Sequence, residues 1–415
     1  MPEKLPTTRL TPDVTNRLHE LDGLRVTVFG LLILYHTGML YVADWGWHYK
    51  SQYQSEALAN VMLWSNQWRM SLLFFISGAA LALFLPRNRD NSFSRAPGIS
   101  RALGKRLGYL LLPLFFGMLV VVVPQVYIEA KSQHIMEELN YWQFWYAYLD
   151  QQSAEFEQHK TLGSMHLTWN HLWYLPYLIV YTLIMAMLYP LLISKAMQPV
   201  WRWFSARITL TTIVLLPIAG FYLNGALLYT NNPVTHNLVE DWFNHGRSFL
   251  SFVLGFALVQ IPALWQSIKT IRWHLLIIGL LSYSYTLFAF HGGKLISGML
   301  GEGFIAQEVN GLLWSANSWL WILCVTAWGQ HWFNKRSPLI RYLNSGIFCF
   351  YILHQTLIIV FAYWLAPLTL GGLFEPIAVI TLVIAGCWIL FEILKKIPGL
   401  RIVFGINPHA PHKPG

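Results

Sequence analysis

The sequence predicts an all-α polytopic membrane protein, a bundle of about ten transmembrane helices with both termini in the cytoplasm. The 415 residues are 55% hydrophobic and only 11% charged, whereas a soluble domain is roughly 25% charged. About ten apolar runs approach the length of roughly 20 residues that crosses a bilayer. The basic residues between these runs are strongly biased towards one side, as the positive-inside rule requires.

The ten predicted spans account for most of the chain. They lie roughly at 24–44, 62–84, 107–127, 171–193, 208–229, 246–263, 273–291, 312–333, 340–365 and 376–394. With the N-terminus inside, 21 basic residues fall on inward segments and 5 on outward segments, while Arg25 and Arg69 lie within spans. The net charge of +9 therefore reflects topology and anionic lipid headgroups. Nucleic acid is not expected as a partner.

The chain is expected to form one membrane domain, over 21–395, between cytoplasmic tails at 1–20 and 396–415. We expect no cleavable signal peptide, because the first twenty residues lack an apolar core. All three cysteines fall in spans, which gives neither a disulfide framework nor a metal-binding spacing. The outer segment at about 128–170 is rich in aromatic and acidic residues, and is either an amphipathic surface helix or a carbohydrate-contacting loop.

The first span contains two costly residues, Arg25 and His36. They are eleven residues apart, so a helix returns them to nearly the same face about 16 Å apart along its axis. This separation excludes direct contact but suits one long cavity that both side chains reach. For His36 alone, a hydrogen bond to a neighbouring helix explains the residue as well as a functional role does, although ionisable groups inside spans often mark function.

Arg69 and His354 are predicted at a depth similar to that of His36, on the second and ninth spans. In FFISG, Ser77 and Gly78 are expected to allow close helix packing. All 19 acidic residues lie outside spans or near their ends, so the carboxylate relays of proton-coupled transporters are not evident. The site is therefore expected to suit an anionic or electron-rich ligand, and the basic loop between Arg87 and Arg106 could hold phosphate groups.

Several motifs resemble those of the integral-membrane acyltransferase-3 family. They are LDGLR followed by ten residues and His36, FFISG at 74–78, HLWYL at 171–175 and YILH at 351–354. Three further stretches are similar to a subgroup that succinylates osmoregulated periplasmic glucans: WRMSLLFFISG at 68–78, VVPQVY at 122–127 and EILKKIPGLRIVFGINP at 392–408. The resemblance covers nearly the whole chain.

The resemblance implies a multi-pass O-acyltransferase of the bacterial inner membrane. Such an enzyme takes an acyl group, succinyl or acetyl, from a cytoplasmic acyl-CoA and transfers it to a hydroxyl of an outer glycan, with no permanently bound cofactor. The residues predicted to be catalytic by the match are His36, Arg25 and His354, with Tyr351 in the same signature. The residues predicted to bind the donor are Arg69, Arg101 and Arg106. A proline expected soon after Arg106 is missing, because the chain reads RLGYLLLP up to Pro113.

The chemistry of acyl transfer leaves two roles open for His36. It could act as a general base on the acceptor hydroxyl, or it could carry the acyl group transiently. A nearby arginine or second histidine could stabilise the oxyanion. Two other classes of protein remain as alternatives, a multi-span transporter of an anionic metabolite or acyl donor and a noncatalytic membrane scaffold. Thioester hydrolysis that depends on His36 would favour the enzyme over both.

The predicted topology can be tested with reporter fusions. A fusion at His159 should report the outer side and a fusion at the C-terminus the cytoplasm, because basic residues predominate on the inward segments. If both fusions report the cytoplasm, the predicted topology is wrong.

Overall fold

Long apolar runs fold as helices in a bilayer, because the backbone finds hydrogen-bond partners only within its own segment. The structure, a computed structural model, describes residues 18–85, 96–159 and 165–406, and in these ranges it contains helices and no β-strand. The α-helices are α1 (His19–Tyr41), α2 (Ala57–Asn66), α3 (Arg69–Phe84), α4 (Ala96–Phe116), α5 (Val123–Ser132), α6 (Tyr141–Leu149), α7 (Tyr174–Leu192), α8 (Gln198–Arg207), α9 (Leu210–Leu228), α10 (Trp242–Leu258), α11 (Pro262–Thr270), α12 (Arg272–Phe290), α13 (Leu295–Leu300), α14 (Phe304–Trp332), α15 (Pro338–Leu365), α16 (Gly371–Leu394) and α17 (Pro398–Val403).

The predicted helical membrane bundle is confirmed for the described residues. Eight helical segments are long and apolar enough to cross a membrane, and α10 with α11, which meet at 105°, would add a ninth if they count as one span. The remaining predicted run lies on α14, which has 29 residues but contains many Trp, Ser and Asn side chains. Length and composition thus support eight or nine spans rather than ten. The cytoplasmic location of the termini stays a prediction.

The two ends of the bundle differ in which segments they contain. The terminal face is the end at which α1 begins and α16 ends, and there Tyr342, near the start of α15, donates a 2.7 Å hydrogen bond to Glu392 of α16. The opposite end, the loop face, holds the aromatic segment that was expected to be either an amphipathic helix or a carbohydrate-contacting loop. This segment contains α6, which begins with a capping box of Asn140 and Gln143. Phe144 is buried while Trp142 is exposed, so α6 is amphipathic and its carbohydrate role stays a prediction.

Helices α3 and α10 cross with their backbones in direct contact. A Cβ atom on Gly78 would overlap the carbonyl oxygen of Phe252, and a Cβ atom on Gly255 would overlap that of Phe75. The close packing expected at Gly78 is therefore present, and Gly255 makes the reciprocal contact. Ser77 has a different environment, because its hydroxyl forms a hydrogen bond with the Tyr174 hydroxyl and lines a cavity.

The third span changes its helical geometry in the middle. α4 continues through Arg106 without a break. The lack of a proline soon after Arg106 therefore leaves the helix intact at this point. Pro113 lies inside α4 and supplies no backbone N–H. A π-helical turn follows at Gly117–Val121 and leads into α5. Single π-turns of this kind are frequent at functional sites. Beyond this one, Gln125 of α5 bonds to His171, just before α7, and to Thr356 of α15.

The helix crossing at Gly78 predicts a large effect of one methyl group. Gly78→Ala should lower the free energy of unfolding by about 1–3 kcal/mol, because overpacking forces the α3 and α10 backbones apart. Thermal unfolding of the detergent-purified protein measures this. Gly30→Ala is the matched control, since a Cβ atom at this helical glycine meets nothing within 4 Å. Equal unfolding temperatures for Gly78→Ala and wild type would contradict the proposed crossing.

Candidate active site

The two histidines predicted from spans one and nine meet in the centre of the bundle. Nδ1 of His36 lies 2.9 Å from Nε2 of His354. Their rings are nearly parallel, with centroids 5.1 Å apart and an interplanar angle of 7°. A hydrogen bond from His36 to a neighbouring helix was one of the two explanations of this residue, and the partner is itself a histidine.

Hydrogen bonds define the tautomer of each neutral ring. Nδ1 of His354 lies 2.7 Å from the carbonyl oxygen of Tyr351, which can only accept, so this nitrogen carries the proton. Nε2 of His354 is then an acceptor, and Nδ1 of His36 donates to it. The lone pair of His36 consequently lies on Nε2. The arrangement can serve a general base or a nucleophile at that atom.

A third histidine, which the sequence did not identify as a site residue, lies beside this pair. His171 is buried on the 3₁₀ turn Asn170–Trp173, and its ring meets His354 edge-on at a centroid distance of 5.2 Å. Gln125 Nε2 donates to His171 Nδ1 at 3.2 Å, and His171 Nε2 donates to the carbonyl oxygen of Ile352 at 3.1 Å. Tyr351 donates its hydroxyl to the carbonyl oxygen of His171 at 2.6 Å.

Gln125 links this network to three further polar side chains, one of which is Asn170, whose Nδ2 donates to Gln125 Oε1 at 3.3 Å. The Nε2 of Gln125 donates to Thr356 Oγ1 at 2.6 Å, and its Oε1 also accepts from Gln355 Nε2 at 3.1 Å. The signal for both Gln125 and His171 was present in the sequence, because VVPQVY and HLWYL contain them. The sequence did not show that either residue lies near His354, because it does not reveal which helices are neighbours.

A cavity of about 700 Å³ opens at the terminal face, beneath the histidine pair. Among the described residues its lining includes five basic side chains and the carboxyl of Asp22. The basic residues are Arg25, Arg106, Lys335, Arg336 and Arg341. Lys335 and Arg336 are exposed at the mouth. From the sequence, Lys335, Arg336 and Arg341 count only among the basic residues that indicate the cytoplasmic side. Their approach to Arg25 depends on the packing of α15 against α1.

Arg25 and Arg106 face the same cavity from different helices. Nη1 of Arg25 lies 3.9 Å from Oδ1 of Asp22, which also accepts a 2.9 Å hydrogen bond from Asn344. Arg106 is close enough to Arg25 for their charges to interact, and its Nε is buried without a hydrogen-bond partner. Arg101 lies on α4, but its side chain is outside the described residues, as is the loop segment from Arg87 to Arg95.

Phe29 and Tyr351 lie between the deep end of the cavity and the histidine pair. Both residues line the cavity, and the Phe29 ring meets the His354 ring edge-on with centroids 5.4 Å apart. Phe29 lies between Arg25 and His36 in sequence, so this face of α1 extends from the basic mouth to the paired imidazoles. His36 itself does not line the cavity, so the expected single cavity that both Arg25 and His36 reach is not continuous among the described residues.

Arg69 lies apart from the other predicted donor-binding residues. It does not line the cavity. Arg69 is the first residue of α3, which begins near the loop face, whereas the cavity opens at the terminal face. Its guanidinium stacks on the ring of Tyr35 with Cζ 3.2 Å from the ring centroid. Tyr35 precedes His36, and the charge of Arg69 is close enough to act on His36. This geometry agrees with the predicted common depth of Arg69 and His36. It does not agree with a donor-binding site that Arg69 shares with Arg106.

The segment between α1 and α2 covers His36 on the loop face. The Trp47 ring lies 6.2 Å from the His36 ring, and His48 Nδ1 lies 2.6 Å from Oε2 of Glu129 on α5. Lys50 donates to the carbonyl oxygen of Met39 at 2.9 Å, which satisfies the C-terminal end of α1. An aromatic ring thus lies beside the histidine pair on each side, Phe29 towards the terminal face and Trp47 towards the loop face.

Comparison with known proteins assigns the family. The family profile Acyl_transf_3, described as an acyltransferase domain, matches residues 18–392 and so covers all the helices that form the site. No curated protein and no solved structure matches the chain significantly. The chain therefore belongs to the acyltransferase-3 family, and it is a membrane acyltransferase that transfers groups other than aminoacyl groups.

Proposed function

We propose that this enzyme moves an acyl group, succinyl or acetyl, from acyl-CoA at the terminal face to a glycan hydroxyl at the loop face. The observation that carries the proposal is a hydrogen-bonded histidine pair that lies behind the Phe29 ring, next to the deep end of a basic cavity. The terminal face is then cytoplasmic, as the distribution of basic residues predicts. The motifs shared with the glucan-succinylating subgroup favour an osmoregulated periplasmic glucan as acceptor and the bacterial inner membrane as location.

The charge of the cavity supports a nucleotide thioester as donor. Among the described residues, five basic side chains against one carboxylate make the lining positively charged, and arginine is suited to bidentate contacts with phosphate. A donor whose phosphates lie near Arg25 and Arg106 would need to reach about 16 Å along α1 to bring its thioester to His36. An extended pantetheine arm has roughly this length.

The tautomers of the histidine pair define the proposed reaction. As a general base, Nε2 of His36 removes the proton of the acceptor hydroxyl while its oxygen attacks the thioester carbonyl. The imidazolium that forms is stabilised by its bond to His354, and the proton then passes to the departing CoA thiolate. As an acyl carrier, Nε2 attacks the carbonyl first and CoA leaves as a thiolate; the acceptor hydroxyl then displaces the imidazole from the acyl group, and its proton passes to the thiolate. Both routes use the same nitrogen.

The loop face supplies the proposed route for the acceptor. Trp47 lies beside His36, and aromatic side chains cluster on the segment that contains α6. Flat aromatic rings suit the apolar faces of sugars. The segment between α1 and α2 has to move to admit a glycan, because it covers His36 on this side.

Removing the histidines tests the reaction directly. His36→Ala should abolish acyl-CoA hydrolysis and acyl transfer by the folded protein, because it removes Nε2. His354→Ala should lower turnover about 10²- to 10⁴-fold, because His36 loses its acceptor and its fixed tautomer. Turnover and thermal unfolding are measured together in detergent. His274→Ala, at an exposed position of α12, should behave like wild type. Near wild-type turnover in His36→Ala would refute the proposal.

Removing the charge of Arg25 tests the donor site. Arg25→Ala should raise the Kd for CoA about tenfold or more, because a charge-assisted contact to phosphate is lost. Arg25→Lys should restore binding poorly if the contact is bidentate. Lys195→Ala is the control, since this exposed lysine lies outside the cavity. Equal affinity of Arg25→Ala and wild type in calorimetric titration would exclude Arg25 from the donor site.

A further inference from the structure

Two arginines near the loop face have buried guanidinium nitrogens without partners. Arg69 is only 8% exposed, and its Nε has no hydrogen-bond partner in the structure. The same holds for the Nε of Arg247 on α10. Each arginine has one bond to a neutral amide, from Arg69 to Asn66 Oδ1 and from Arg247 to Asn244 Oδ1, both at 3.3 Å.

The helix crossing brings these arginines to the same level. α3 and α10 both run from the loop face to the terminal face, and they touch at Gly78 and Gly255. Arg69 precedes Gly78 by nine residues and Arg247 precedes Gly255 by eight, so both lie about 12–14 Å from the crossing on the loop-face side. Their charges are close enough to repel each other.

No acidic side chain neutralises this pair by direct contact among the described residues. Asp241 interacts electrostatically with Arg247, but its oxygens accept from Tyr177 at 2.5 Å, Asn244 at 2.7 Å, and the backbone N–H groups of Thr235 and His236 at 3.0 and 3.1 Å. Two like charges with unused N–H donors are costly where water is scarce. A bound anion would satisfy both.

The nearby histidine adds no positive charge of its own. Burial lowers the pKa of His236 to about 4, and the charges of Arg247 and Arg69 act in the same direction. At neutral pH the imidazole is therefore uncharged. The positive charge of this group of residues therefore comes from the two arginines.

The position of the pair relative to His36 indicates which anion it meets. Along α1 from the terminal face the order is Arg25 at the cavity, then His36, with Arg69 stacked on the adjoining Tyr35. A donor with its phosphates in the cavity and its thioester at His36 would extend the far end of its acyl group beyond His36, towards Arg69 and Arg247.

We propose that Arg69 and Arg247 form an anion subsite that binds the free carboxylate of a dicarboxylic acyl group, and so select succinyl over uncharged acyl donors. This inference rests on the proposed function and chooses between its two acyl groups. The guanidinium groups are positioning groups that hold the distal carboxylate by charge-assisted hydrogen bonds, while the reacting carbonyl lies at His36.

The test compares donors that differ only in the distal group. Succinyl-CoA and butyryl-CoA carry acyl chains of equal length, and only the first ends in a carboxylate. Wild type should have the higher kcat/KM for succinyl-CoA. In Arg69→Gln and Arg247→Gln the ratio of the two kcat/KM values should fall about ten- to a hundredfold. Arg69→Lys should keep part of the preference because it keeps the charge, and Arg207→Gln, on exposed α8, should leave the ratio as in wild type.

The outcomes separate the subsite from the proposed function. If kcat/KM falls equally for both donors in folded variants, the arginines act on the oxyanion or on the structure, and the subsite is refuted. If wild type hydrolyses butyryl-CoA as readily as succinyl-CoA, the subsite is refuted while the proposed function stands. If wild type transfers neither acyl group to a glycan hydroxyl, the proposed function fails and the subsite with it. Thermal unfolding of each variant establishes that it is folded.

Discussion

A polar side chain inside a bilayer finds no water, so it needs a polar partner within the bundle. This constraint organises the centre of the molecule. His36 on α1 forms a hydrogen bond with His354 on α15, and His354 donates to the carbonyl oxygen of Tyr351. His171 accepts a hydrogen bond from Gln125 on α5. Four segments that are distant in sequence are thereby held together by groups that hydrocarbon cannot solvate. The same bonds fix the protons on the imidazoles, so the fold and the chemistry depend on one network.

Charge is distributed unevenly along the axis of the bundle. The terminal face has a basic cavity, the middle has the histidine pair, and the loop-face side has Arg69 and Arg247. A donor with anionic phosphates at one end fits the first region, and the middle provides a nitrogen lone pair. Phe29 and Trp47 flank the histidines, one on each side along the axis of the bundle.

Two glycines and the break between α2 and α3 determine how the helices are arranged on the loop-face side. Gly78 and Gly255 allow α3 and α10 to approach until their backbones touch, which in a membrane is a principal means of holding helices together. The second span is interrupted between α2 and α3, and Arg69 is the first residue after that break. Its guanidinium is therefore directed at Tyr35 and not at lipid. The helices α3 and α10 therefore both pack closely against each other and position the charges of Arg69 and Arg247.

The sequence by itself determined the helical bundle and the shared face of Arg25 and His36 on the first span. These features follow from hydropathy and from the 3.6-residue period of a helix, which are local properties. Only the tertiary structure decided that His36 meets His354, a contact across 318 residues. It alone brought Gln125 and His171 to that pair, and separated Arg69 from Arg106. The reason is that depth can be counted along one helix, whereas neighbours depend on how side chains of different helices fill space between them.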